Sequence, residues 1–202
     1  TDIHIFLVLD NANFNGGVGT YVNKLHEELH RIGVSNSIAT CKNSINKKII
    51  NKISAQKKVI VHIHGLWSPF IHKIARLCVS MAIPTLLSTH GMLDPWALSH
   101  KFFKKKLAWY FYQKNDVAKI NLIHTTSPVE SKNISDIGVE VPRIMIPNAV
   151  SYPLDVKTRR NNKKVALFLS RIHPVKGVLD LIEAWNSIDN TGWSLIIAGN
   201  GE

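Results

Sequence analysis

The sequence predicts an α/β protein in which mostly parallel strands carry helices on both faces. Short apolar runs of strand length alternate with amphipathic segments of helix length along nearly the whole chain. Several of these runs are followed by glycine-containing turns, the place where a parallel sheet presents its loops to ligands. With 45% hydrophobic and 19% charged residues, the composition is that of an ordinary globular protein.

The first part of this pattern is a strand, a glycine turn, a helix and a second strand. HIFLVLD at residues 4–10 is a continuous apolar run, as expected of a buried parallel strand. Apolar residues at 18–32 recur at helical spacing, and Gly33 is a plausible helix stop. VSNSIATC at residues 34–41 reads as the next strand, which completes a βαβ unit.

The same alternation continues to about residue 150. Residues 42–58 are basic and polar, and they predict a short helix with loops. Strands are predicted from apolar runs at residues 59–65, 84–91, 121–127 and 143–150. Helices are predicted from the segments between them, at residues 69–82, 101–114 and 128–137.

A break in the pattern predicts two domains. Residues 151–162, SYPLDVKTRRNN, are polar and basic without periodicity, and we interpret them as a linker. The pattern then restarts with a strand at 164–170, a loop, a helix at 178–188 and a strand at 193–199. The sequence therefore predicts one full α/β domain at 1–150 and the first part of a second at 163–202.

The net charge of +11 allows nucleic acid, anionic membrane or phosphorylated small molecules as partners, or only a solvated basic surface. Nucleic acid is not expected, because the basic residues are dispersed and no nucleic-acid motif is present. Cys41 and Cys78 have no metal-type spacing and fit free thiols in a reducing cytoplasm. We see no signal peptide and no long apolar run, so the expected location is cytoplasmic.

Loops after the first and third predicted strands carry candidate ligand-binding residues. In NFNGGVG, Gly16 and Gly17 allow close backbone approach in front of a helix N-terminus, which favours anions. In HGLW, His64 and Trp67 could hydrogen-bond to and stack on a sugar, although both also fit core positions. His62 shares a strand face with His64, and we favour core or cleft histidines over a metal pair there.

Two further candidate residues, His90 and Asp94, lie at and just after the end of the fourth predicted strand. STHGMLDPWAL places His90 at a strand end, where it could exchange a proton or hydrogen bond with a substrate, and Asp94 follows.

FFKKKLAWYFYQK predicts a basic, aromatic helix. Such a helix can lie on an anionic membrane or, with aromatic residues on nearly every side, be buried.

The last candidates belong to the second predicted domain. Arg171 and Lys176 flank the turn in SRIHPVKG and could clamp a diphosphate beside a helix N-terminus, with solvated surface charge as the alternative. Asn200 and Gly201 lie in AGNGE, a glycine turn after a strand that could also meet a ligand.

Four of these segments together resemble one enzyme family. They are FNGGVGTYV, STHGMLDPWAL, IPNAV, and FLSRIHPVKGVLDLIEAW followed by LIIAGNGE. They are similar to segments of the retaining GT-B glycosyltransferases called glycosyl transferases group 1, or family four. HGMLDPWAL is similar to members that build bacterial exopolysaccharide, capsule or lipopolysaccharide. The resemblance implies two Rossmann-like domains, the first binding the acceptor and the second the nucleotide-sugar donor.

The resemblance also implies roles for individual residues. Arg171 and Lys176 would hold the donor diphosphate and stabilise its developing charge, and His90 would contact the transferred sugar. Gly16 and Gly17 would approach the donor phosphates and the acceptor. No metal, cofactor or protein nucleophile is implied. The expected activity is transfer of a sugar, with retention, to a lipid-linked or polysaccharide acceptor, by a cytoplasmic protein in peripheral contact with the inner face of the membrane.

The family's second domain continues well beyond the segment found here and carries two glutamates that contact the donor. The resemblance therefore implies a truncated chain or a fragment of a longer enzyme. The alternative expectation is a non-catalytic module that holds the acceptor or a partner chain.

Overall fold

The fold is described by a computed structural model, which covers residues 3–10, 16–40, 51, 58–150 and 163–201. The chain divides into two compact units, Thr1–Ala149 and Val150–Glu202. The predicted linker at 151–162, Cys41 and nearly all of the predicted short helix at 42–58 lie outside the described residues.

Unit 1 is built on a six-stranded sheet in which every described pair is parallel. Its strands are β1 (His4–Leu9), β2 (Asn36–Thr40), β3 (Val59–His64), β4 (Thr85–Ser88), β5 (Leu122–Thr125) and β6 (Arg143–Met145). Their order is β2-β1-β3-β4-β5-β6. The predicted α/β class with a Rossmann-like parallel sheet is confirmed. The strand that follows β1 in the chain, β2, lies on one side of it, and β3 and all later strands lie on the other. The position between β1 and β3 is therefore a topological switch point of the sheet.

Six α-helices are described in unit 1. They are α1 (Gly17–Arg31), α2 (Pro69–Ser80), α3 (Pro95–Ser99), α4 (Phe102–Ala108), α5 (Lys114–Ala118) and α6 (Pro128–Asp136). Ser68 and Ser127 cap α2 and α6, and in each case proline occupies the first helical position. The helix predicted at 101–114 is interrupted by a π-helical turn at Trp109–Gln113, and α3 was not predicted.

Apolar side chains are buried on both faces of the sheet. On β1, Phe6 and Val8 belong to the larger core, which includes Ile74 of α2. Leu7 points to the opposite face and packs in a smaller core with Val22 of α1. Burial on both faces explains why this strand is a continuous apolar run rather than an alternating one.

Unit 2 contains the parallel pair β7 (Lys164–Leu169) and β8 (Trp193–Ala198), a 3₁₀ turn at Pro174–Lys176, and α7 (Val178–Asn186). The chains leaving the two strands run close together. A Cβ atom added at Gly199 would lie 1.7 Å from the carbonyl oxygen of Ser170. Only glycine fits this approach without moving the backbone.

Cys78 is a free, fully buried cysteine, and burial raises the pKa of its thiol to about 12. It is therefore protonated at neutral pH and behaves as a small apolar side chain. Over the described parts of the chain, no helix has both the length and the apolar character needed to span a bilayer.

We expect Ile123→Ala to lower the free energy of unfolding by about 2–5 kcal/mol, because the side chain is 0% exposed in the larger core and its loss leaves a cavity. Ile32→Ala is the matched control, since Ile32 is 63% exposed, and it should cost about 0.5 kcal/mol or less. Urea titrations of both variants measure the difference. Equal losses would contradict the assigned core.

Candidate functional site

A row of polar side chains crosses β3, β4 and β5 near their carboxyl ends. His62 Nε2 lies 2.8 Å from the Ser88 hydroxyl, and the same hydroxyl lies 2.8 Å from His124 Nδ1. His124 Nε2 lies 2.8 Å from the backbone oxygen of Ile146. Since the three side chains are buried, these hydrogen bonds replace their contacts with water.

The Ile146 carbonyl sets the direction of this row when the rings are neutral, because a carbonyl oxygen can only accept. His124 then carries its proton on Nε2 and accepts from the Ser88 hydroxyl at Nδ1. The Ser88 oxygen in turn accepts from His62 Nε2–H. His62 is neutral at neutral pH because burial, followed by the nearby His124 and His90 rings, lowers its pKa to about 3.

The predicted site residues His64 and His90 are direct neighbours. His64 Nδ1 lies 3.1 Å from His90 Nε2, so one ring donates to the other. Burial, followed by the surrounding histidine rings, holds the pKa of His64 well below its ordinary value. Burial also lowers the pKa of His90 to about 4, although the Glu130 carboxylate acts in the opposite direction. Both rings are therefore neutral at neutral pH.

Tyr21 of α1 covers this group of imidazoles. Its ring centroid lies 5.3 Å from that of His90, 5.8 Å from that of His64 and 6.4 Å from that of His124. Burial raises the pKa of the Tyr21 hydroxyl, so it stays protonated. The Tyr21 ring of α1 thus packs over these histidine side chains.

Glu130 fixes the loop that carries His90. Its carboxylate accepts hydrogen bonds from the Thr89 hydroxyl, from the Gly91 N–H at 2.8 Å, and from both the N–H and the hydroxyl of Thr126. Although burial raises its pKa, these four hydrogen bonds together lower it, so Glu130 is ionised at neutral pH. His90 is held with φ at 50°, a left-handed conformation that is strained for a residue other than glycine.

A small pocket lies at the switch point between β1 and β3. Its wall includes Asp10 after β1, Val18 in the first turn of α1, and His64 at the end of β3. His64 is 2% exposed, and its Nε2 has no hydrogen-bond partner within the described residues. A buried polar atom without a partner is costly, and this one belongs to a residue that lines the pocket.

The other predicted residues of unit 1 lie around this pocket and its loops. Gly16 is the N-cap of α1 and Gly17 is its first residue, and among the described residues no side chain caps this helix. Asp94 accepts a hydrogen bond from Asn133 at 2.8 Å, so it ties its loop to α6. In the part of the chain that is described, no group of three or more His, Cys, Asp or Glu side chains could hold a metal ion. That no metal or cofactor is needed stays a prediction.

The four predicted residues of unit 2 lie on the loops that follow its two strands. Ile172 and Gly201 form an isolated parallel bridge, and the backbone oxygen of Asn200 accepts a hydrogen bond from the Ile172 N–H at 2.8 Å. Arg171 and Lys176 are both exposed. That Arg171 and Lys176 bind a diphosphate stays a prediction.

Sequence reasoning missed four residues of the site in unit 1: Tyr21, Ser88, His124 and Glu130. Glu130 had a local signal, because Ser127 followed three residues later by Glu is a capping-box pattern at a helix start. Tyr21 was assigned only to the apolar face of α1. Ser88 and His124 had no signal beyond their place near strand ends.

No protein-family model matches this chain, and no curated protein is similar to it. One similar solved structure is the sugar isomerase domain of an RpiR transcription factor from Sphaerobacter thermophilus. It has 14% sequence identity and a TM-score of 0.36, with 46% of this chain and 50% of that chain covered. The chain thus spans about half the length of that structure. At this level the likeness carries no argument about function.

The identification as a retaining GT-B glycosyltransferase is wrong. No family model matches this chain, that of the glycosyltransferases included. The expected sugar transfer, the role in surface-polysaccharide synthesis and the truncated acceptor-holding module are withdrawn with it. Short glycine-containing segments of this kind recur in α/β proteins whatever they bind.

We expect Glu130→Gln to lower the free energy of unfolding at neutral pH by about 1–3 kcal/mol, because four donors lose a charged acceptor. The lowered pKa means that the ionised form stabilises the fold above pH 4.5, and that this stabilisation disappears as the pH falls through the folded-state pKa. The difference from wild type should therefore shrink in acid. Urea titrations across pH measure it, and Glu140→Gln, at an exposed position, should show no such trend.

We expect the stability of unit 1 to fall as the pH drops below 6.5, the ordinary pKa of histidine. The unfolded chain takes up protons there, whereas His62 stays neutral in the fold until about pH 3. Each such histidine contributes a slope of up to about 1.4 kcal/mol per pH unit. His62→Asn should reduce the slope measured by circular dichroism in urea, and His30→Asn, at an exposed position, should leave it unchanged.

Proposed function

We propose that unit 1 binds a small phosphorylated or carboxylated polyol in the pocket between β1 and β3. The observation that carries this proposal is His64, which lines that pocket and whose buried Nε2 has no hydrogen-bond partner in the described residues. Its position supports the proposal, because open parallel sheets bind ligands at the carboxyl ends of strands beside a switch point.

The N-terminus of α1 supplies the site for the anionic group. Val18, in the first turn, lines the pocket, and Gly16 provides no capping side chain. The first hydrogen bond of the helix joins the Thr20 N–H to the Gly16 oxygen, so the preceding N–H groups have no intrahelical acceptor. These groups and the positive end of the helix dipole favour a phosphate or carboxylate.

Hydroxyl groups of the ligand match the two polar side chains of the pocket wall, Asp10 and His64. Asp10 also lines the pocket, and its carboxyl oxygens accept hydrogen bonds from hydroxyls. His64 Nε2 donates to or accepts from a hydroxyl according to the tautomer set by its bond with His90. A hydroxyl suits both tautomers, because it can donate and accept.

We further propose that the chain is found at the inner face of a membrane in peripheral contact with it, the location expected from the sequence. The support is the aromatic and basic segment around α4, where the side chains of Phe103 and Phe111 are largely exposed to solvent. Such segments are typical of proteins that lie on anionic bilayers.

Isothermal titration with glucose 6-phosphate, glucose and inorganic phosphate tests the ligand proposal. We expect glucose 6-phosphate to bind most tightly, because it presents both an anionic group and hydroxyls. His64→Phe should weaken that binding about fivefold to tenfold, the effect of losing one hydrogen bond.

His30→Phe is the matched control, because His30 is exposed near the end of α1 and its replacement should leave binding unchanged. Circular dichroism confirms that both variants are folded. A folded wild type that binds none of the three probes would overturn the proposal. Equal binding of phosphate and glucose 6-phosphate would refute the hydroxyl part.

A further inference from the structure

Four large side chains form an exposed stripe along α4 and the π-helical turn. We call Phe103, Leu107, Tyr110 and Phe111 the aromatic stripe; they are 80%, 59%, 75% and 81% exposed. The alternative that this segment is a buried helix is therefore wrong. Clustered exposed rings of this size are uncommon on a surface without a partner.

The opposite side of the same segment packs on the protein. Trp109 contacts the larger core, and Gln113 is buried with its side-chain oxygen accepting from the Trp67 N–H at 3.0 Å. The π-helical turn adds a residue to this part of the helix, and the adjacent Tyr110 and Phe111 both remain outside. The stripe is thus one face of an anchored helix rather than a loose segment.

Lysines border the aromatic stripe. Lys104 and Lys106 are exposed and, by helical spacing, lie on either side of Phe103 and Leu107. Lys105 differs, because its ammonium group donates to the Ala97 oxygen and lies 5.6 Å from the Trp67 ring centroid. Residues 96–115 contain no Asp or Glu. The surface is therefore apolar along its centre and positive on both edges.

We propose that the aromatic stripe, with Lys104 and Lys106, is the surface that docks unit 1 on an anionic bilayer. The rings enter the headgroup region, and the two lysines extend beside them to lipid phosphates. The inference rests on the proposed peripheral location and gives that location its contact surface and lipid class.

Charge complementarity favours a lipid surface over a protein groove as the occupant. Positive charge on both edges with no carboxylate in the segment matches the negative surface of the cytoplasmic leaflet. Tyr and Trp side chains with one polar atom are also suited to the membrane–water interface. A second copy of this chain would bring two such positive surfaces together, which is unfavourable.

Co-sedimentation of the whole chain with vesicles tests the surface. One set is phosphatidylcholine alone, and the other is phosphatidylcholine mixed with phosphatidylglycerol. We expect binding mainly to the mixed vesicles, weakened by salt. Phe103→Ser with Phe111→Ser, and separately Lys104→Glu with Lys106→Glu, should each lower partitioning by about tenfold or more.

Lys73→Glu with Lys132→Glu is the control, since it changes the net charge equally at exposed positions on other helices. Circular dichroism of each variant confirms folding. If the control lowers binding as much as the Lys104 and Lys106 pair does, the stripe assignment is overturned while peripheral contact survives. If wild type binds neither vesicle, both are overturned. Self-association that the serine variant abolishes, without vesicle binding, would show a protein interface and overturn the proposal.

Discussion

Parallel pairing of the six strands places every carboxyl end of the unit 1 sheet at one edge. Single residues that follow β1, β3 and β4 therefore line one pocket, although they are far apart in sequence. Asp10, His64 and His90 come from three different loops or strand ends and lie in one region only because of this topology. The strand order of the sheet, more than any single side chain, brings the residues of the candidate site together.

Burial in that region keeps the imidazoles of His62, His64 and His90 neutral at neutral pH, because it lowers their pKa. The fold adds a hydrogen-bond row ending on the Ile146 carbonyl, while the buried carboxylate of Glu130 holds the His90 loop. Strained backbone accompanies this arrangement, since His90 and Trp67 both have positive φ. Strain that surrounding hydrogen bonds maintain is common at binding sites.

The sequence predicted the sheet well because continuous apolar runs report burial on both faces, as β1 and β3 show. It located His64 and His90 individually through the rule that ligands meet strand ends. It did not predict Ser88, His124 or Glu130 as partners, because pairing across strands depends on register, which no local pattern encodes. The family resemblance failed for a related reason: short glycine-containing segments are shared by α/β proteins of different chemistry.

The HGLW loop links the pocket to the aromatic stripe. Its first residue, His64, lines the pocket, and its last, Trp67, donates its backbone N–H to Gln113 in the π-helical turn that carries Tyr110 and Phe111. Trp67 Nε1 is itself buried without a partner in the described residues, and Lys105 lies over the same ring. A shift of the π-helical turn would therefore act on the loop through a buried hydrogen bond and a packed indole. Contiguous packing of this kind is one physical route by which one surface influences another, and here it spans only four residues, 64–67.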